Sequence, residues 1–232
     1  MKTTDINKIR DLAIAFAHLP IEPNEKIPIL VSHPFLDTAV TVVLTKNGQE
    51  MINVLEGDGE KQFRAFLVDR LKKTDKLTGF LLLLSKSYRF TFLDHIQDYL
   101  SDDDLGMCLR YIWEDSEYTN SGSVFTKKQL LKLFCRSSKN TLMDEEELPV
   151  LKGLPERITV YRGTTSVNSE DLKVFSWTLS REKAEWYSRR FDDDVQNVFQ
   201  AELSKDGVLA YFSTDQEIIA DPYKLENIQQ VS

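Results

Sequence analysis

Cysteine and histidine are scarce in this chain, and their scarcity closes off several chemistries. The two cysteines, Cys108 and Cys135, lack CxxC spacing, and the three histidines, His18, His33 and His95, are scattered. A zinc site needs such residues at short fixed intervals and a disulfide framework needs more of them, so neither a metal nor a disulfide scaffold is expected. Long apolar runs are also missing. The most apolar segment, Gly79 to Leu84, is far shorter than the roughly 20 residues that span a bilayer. The opening MKTTDINKIRDLAIAFAHLP is broken by Asp5 and Asp11, unlike the unbroken apolar stretch of a signal peptide. No membrane insertion is implied, and a cytoplasmic protein is expected, with Cys108 a buried reduced thiol in the stripe of LGMCLRYIW. Nor is there an excess of positive charge: the net charge of -8 gives no overall attraction to phosphate backbones or anionic lipid. Nucleic acid is thereby demoted as a partner.

What is present is enough apolar material for a core, 41% of 232 residues, in two textures. To about residue 150 the periodicity is helical. In EKQFRAFLVDRLKK, Phe63, Phe66, Leu67 and Leu71 repeat at helical spacing. In SDDDLGMCLRYIW, Ser101 suits an N-cap, Asp102 to Asp104 suit the positive helix end, and Leu105, Cys108, Leu109, Ile112 and Trp113 make one stripe, read as packing. Thr126 and Gln129 form a capping-box pattern ahead of Leu130 and Phe134. Asn47-Gly48, between β-prone runs, signals a hairpin, with helix as a competitor for its second half. Past LMDEEELPVLKGLPE the texture turns to short β-type runs, ITVYRG, KVFSWTL, NVFQAEL, GVLAYF and QEIIA, with one clear helix, SREKAEWYSRRF. The expectation is an α+β chain: a mostly helical region over 1–150, then a β-rich core over 151–232.

Three polar features fall at the edges of this β core. Arg162 ends ITVYRG, beside a glycine, Gly163, that lets a ligand approach the backbone. Ser176 and Thr178 share one face of FSWTL, while Phe175, Trp177 and Leu179 anchor the other; Asp215 and Glu217 share a face in DQEII. Taken singly, each has an ordinary surface explanation. In the following helix, Ala184, Tyr187, Ser188 and Phe191 line one side, which is expected to cover the sheet, and Trp186 falls off that stripe as a partly buried packing residue. The acidic run Asp192 to Asp194 reads as solvated rather than as a cation site.

The order matters more than the parts. An arginine ending a strand in YRG, then an S-x-T strand leading into an aromatic-bearing helix, then an acidic D-x-E followed by aliphatics resembles the R-S-E class of mono-ADP-ribosyltransferases over residues 156–221. The resemblance implies two small antiparallel sheets enclosing NAD, Arg162, Gly163, Ser176 and Thr178 toward the dinucleotide, and Glu217 and Asp215 as the catalytic carboxylates. In the family the serine motif usually reads S-T-S and the acidic one E-x-E; here they are Ser176-Trp177-Thr178 and Asp215-Gln216-Glu217. The upstream acid helps choose the acceptor in that family. Its shortening puts the transfer target in question more than NAD binding. The segments SHPFLDTAV, SKSYRFTFL and YIWEDSEY also look like the helical region ahead of such a core in uncharacterised bacterial and phage proteins.

The chemistry suits those residue types. Departure of cationic nicotinamide builds positive charge at the ribose anomeric carbon, which a fixed carboxylate at Glu217 stabilises. The arginine fork suits a pyrophosphate or ribose, and Asp215 suits orienting the nucleophile or taking its proton. The leading expectation is transfer of ADP-ribose from NAD to a macromolecule, protein rather than nucleic acid. NAD hydrolysis, transfer to nucleic acid and a silent NAD- or ADP-ribose-binding module remain open beside it.

Overall fold

The computed structural model describes residues 2–46, 48–115, 124–166, 168, 171–190 and 196–231. The chain divides into two compact units, 1–104 and 105–232. The change of texture at 150 is therefore not the structural boundary. The helices over 105–153 cluster with the β-rich part because their apolar stripes bury against it, something that local periodicity does not reveal.

Unit 1 begins with α1 (Ile6–Ala17), whose N-cap Asp5 accepts from the Lys8 amide. Three short strands follow, β1 (Glu22–Pro23), β2 (Leu30–His33) and β3 (Leu36–Thr38), paired in that order as a small antiparallel sheet that the sequence pattern did not announce. β4 (Val40–Thr45) and β5 (Gly48–Asn53) make the expected hairpin; Gly48 opens β5 at a φ of 113°, which glycine adopts without penalty, while Asn47 lies outside the described residues. The helices are α2 (Gly59–Lys73), burying Phe63, Leu67 and Leu71, then α3 (Leu77–Leu83) and α4 (Arg89–Ile96). Among the described residues no helix is long and apolar enough to cross a membrane.

α5 (Asp102–Glu114) starts at the division between the units. Ser101 Oγ accepts from the Asp104 amide at 3.0 Å, and Leu105, Cys108, Leu109, Ile112 and Trp113 are all buried. In unit 2 it is followed by α6 (Lys127–Arg136), whose capping box between Thr126 and Gln129 is formed on both sides, and by α7 (Lys139–Leu142) and α8 (Glu147–Gly153). Then come β6 (Arg157–Thr164), β7 (Ser176–Thr178), α9 (Arg181–Ser188), β8 (Asn197–Ser204), β9 (Val208–Phe212), β10 (Glu217–Ala220) and β11 (Leu225–Gln230). The whole is α+β. Six strands run antiparallel in the order β11-β8-β6-β7-β10-β9. They form one sheet, whose three-stranded halves β11-β8-β6 and β7-β10-β9 meet through one pair, Tyr161 opposite Thr178.

α9 covers β6. A Cβ on Gly163 would lie 2.0 Å from the carbonyl oxygen of Ala184, so strand and helix touch backbone to backbone there. Only small residues fit between them, and Ala184 and Ser188 are the buried positions of α9. Trp186, expected to be partly buried, is turned away and 58% exposed, because the helix is drawn too close for a large side chain on that side. Phe191 and Asp192 to Asp194 lie outside the described residues.

Candidate active site

The centre of the site is set by strand register. Glu217 of β10 stands opposite Thr178 of β7, and Ser176 lies opposite Ile219, which makes Ser176 the diagonal neighbour of Glu217 across the pair. The Ser176 hydroxyl donates to Glu217 Oε1 at 2.5 Å. Trp177, between the two hydroxyl residues, is buried with its indole donating to the Val174 carbonyl at 3.1 Å, and Phe175 is buried beside it. These rings fix β7 in the core, so the serine is held rigidly toward the acid. A second bond comes from α5: Trp113 Nε1 donates to the same Glu217 oxygen at 3.2 Å.

Burial pushes the Glu217 carboxyl above the usual range, and the nearby Asp215 charge adds to that; the bonds from Ser176 and Trp113 and the Arg162 charge pull the other way. Arg162, near the end of β6, is buried with its Nη1 donating to the Ser176 carbonyl at 2.8 Å. Burial lowers its pKa to about 10, opposed by Glu217 and Asp171, so it remains a cation at neutral pH. Its Nε has no partner among the described residues, and neither does the hydroxyl of Thr164, two residues further along the strand. A buried arginine near a half-buried carboxylate, with donor capacity left over, is suited to an anionic ligand.

The remaining positions have other duties. Asp215 does not share a strand face with Glu217, as the D-x-E spacing suggested. It sits in a turn, with Gln216 at a φ of 48° breaking the extended backbone and β10 starting only at Glu217. Each Asp215 oxygen holds a bond from α9: Lys183 Nζ at 3.0 Å and the Tyr187 hydroxyl at 2.6 Å. Its carboxyl is lowered by these two bonds in spite of burial, and the Tyr187 phenol is raised, by burial first and then by Asp215. Thr178 is buried; its hydroxyl donates to the Asp215 carbonyl at 2.8 Å and accepts the Ser180 amide at 3.0 Å. It latches the passage from β7 to α9, so its hydroxyl is committed to that hinge. Gly163 serves the close packing of α9, which accounts for a glycine there without any ligand.

Three residues that the sequence pattern did not assign to a site belong to this arrangement: Trp113 and Tyr187, which read as packing, and Lys183. The one available signal was that Trp113 and Tyr187 carry polar handles that need partners when buried. Among the described residues no group of three or more His, Cys, Asp and Glu side chains is arranged to hold a metal. Compared with protein-family models, curated proteins and solved structures, the chain matches none.

Proposed function

We propose that this protein cleaves NAD between nicotinamide and ribose and transfers the ADP-ribose to a macromolecular acceptor, protein in the first instance. One observation carries the reading: the half-buried Glu217 carboxylate, fixed by the Ser176 hydroxyl at 2.5 Å, near the buried Arg162 cation whose charge acts on it. In the reaction the C1′–N bond breaks and its electron pair leaves with nicotinamide, which becomes neutral. Positive charge grows at C1′ and the ribose ring oxygen, and Glu217 supplies the opposing charge in a site of low dielectric. A nucleophile of the acceptor then bonds to C1′ and releases its proton to solvent or to a base. Arg162 provides the cation for the dinucleotide's phosphates, with Ser176 holding Glu217 in place.

The state of Asp215 favours one second reading, NAD hydrolysis. Its carboxylate is already tied to Lys183 and Tyr187, so it is poorly placed to orient or deprotonate an acceptor side chain, whereas water needs less preparation. NAD labelled on its adenylate half, incubated with the full chain with and without cellular protein and RNA, separates the possibilities. Labelled protein supports transfer, labelled RNA moves the acceptor to nucleic acid, and nicotinamide released with free labelled ADP-ribose indicates hydrolysis. Saturable NAD binding without release makes the chain a binding module, and neither binding nor release overturns the NAD reading.

A further inference from the structure

Helix α5 reads as pure packing in sequence, yet it reaches the acid from far along the chain. Trp113, 3% exposed, meets Phe134 edge-on with ring centroids 5.3 Å apart and Phe175 edge-on at 6.3 Å. Its indole cannot swing away without opening that cluster. Both donors to Glu217, Ser176 Oγ and Trp113 Nε1, bond to Oε1, and Oε2 has no partner among the described residues. One turn earlier on α5, Arg110 grips Glu147 with two bonds, Nη1 to Oε2 at 2.5 Å and Nη2 to Oε1 at 3.2 Å. Glu147 Oε1 in turn accepts the Ser213 amide at 2.6 Å, where the turn that leads to Glu217 begins.

The geometry points to Trp113 as a positioning residue that fixes the rotation of the Glu217 carboxylate, so that Oε1 is held by the protein and Oε2 is the oxygen that meets the substrate. This rests on the reading of Glu217 as the reacting carboxylate. Serine alone would leave the carboxylate free to turn about one hydrogen bond; two donors from different elements converging on one oxygen define its plane. The other polar groups around the acid are Arg162 from β6, Asp215 from the preceding turn and Tyr187 from α9, and none of them is bonded to Oε2. In the full chain, Trp113→Phe keeps one ring in the cluster and removes the donor, along with the rest of the indole's volume.

Two measurements test this. Carbon-13 NMR titration of the Glu217 carboxyl, assigned by its loss in Glu217→Gln, should show its pKa higher in Trp113→Phe than in the wild type, because a bond that favours the charged form has gone. Nicotinamide release should lose about tenfold in kcat with KM for NAD nearly unchanged, and its acid limb should move to higher pH. An unmoved Glu217 titration in folded Trp113→Phe overturns the assignment. If that variant does not fold, the Trp113 indole resonance of the wild type decides instead: a shift that follows the Glu217 titration supports the tie, and one that ignores it overturns it. A wild type that moves as expected in NMR but releases no nicotinamide leaves the Trp113 tie standing and removes the NAD reading.

Discussion

Gly163 and Ala184 approach so closely that a side chain on the glycine would have to occupy backbone: its Cβ would lie 2.0 Å from the Ala184 carbonyl oxygen and 2.6 Å from the Ser188 amide nitrogen. Neither is the end of a flexible side chain, so the helix itself must move. Gly163→Ala should cost about 2–3 kcal/mol of unit 2 stability by overpacking. Denaturant unfolding checks the value, and a variant as stable as the wild type would mean that α9 is not seated on β6.

Glu217 gives a prediction with opposite signs for activity and stability. A carboxyl whose pKa is raised by folding holds its proton more tightly when folded; its contribution to stability is full below the ordinary carboxyl pKa and is lost as pH rises through the raised value. Glu217→Gln removes that loss. The variant should unfold at a temperature no lower than the wild type at neutral pH, with the difference shrinking on acidification, while nicotinamide release falls by about a hundredfold or more. Thermal melts at several pH values, together with an NAD assay, test both halves.

Asp215 should behave as a tie between the turn and α9. Its pKa is lowered in the folded protein, so its contribution is present above the ordinary value and lost as pH falls through the folded one. The Lys183 ion pair is partly exposed and contributes about 0.5 kcal/mol. Asp215→Asn should therefore destabilise modestly and lower the Tyr187 pKa. Phenolate absorbance in alkali, referenced to Tyr187→Phe, reads the second effect.

Arg110 neutralises a carboxylate that is only 1% exposed, since Glu147 lies at the start of α8 under the arginine. Removing the cation leaves a buried charge supported by the Asp144 amide and by Ser213, neither of them charged at the contact. Arg110→Met should cost about 3 kcal/mol, far more than loss of an exposed pair such as Lys73 with Asp69. Equilibrium unfolding of both variants supplies the comparison.

In unit 1, His33 is fully buried between Phe35 and Phe63, and its pKa is lowered to about 4 by burial and by the Arg64 charge. The unfolded chain then binds more protons between the ordinary value of 6.5 and about 4, so stability falls as pH drops through that window, by on the order of 3 kcal/mol when complete. The difference in stability between wild type and His33→Leu, measured from pH 7 to pH 4, should shrink by that amount.

The amino-acid sequence by itself determined what depends on neighbours along the chain. Ser101 and Thr126 cap their helices because a hydroxyl three residues ahead of an amide finds it locally, and Phe175 and Trp177 alternate with Ser176 because a pleated strand has a period of two. The order of Arg162, Ser176 and Glu217 was legible for the same reason: each sits in a short recognisable run. Tertiary structure decided the rest. Trp113 reaches Glu217 across 104 positions, and the apolar stripe around it carries no trace of that bond. Asp215 left the strand because Gln216 takes a left-handed φ, a backbone choice that no side-chain pattern records. Gly163, a plausible ligand approach in sequence, serves α9, and Trp186 faces outward for the same steric reason. Pattern fixes the local conformation; which oxygen meets which donor depends on elements brought together only by packing.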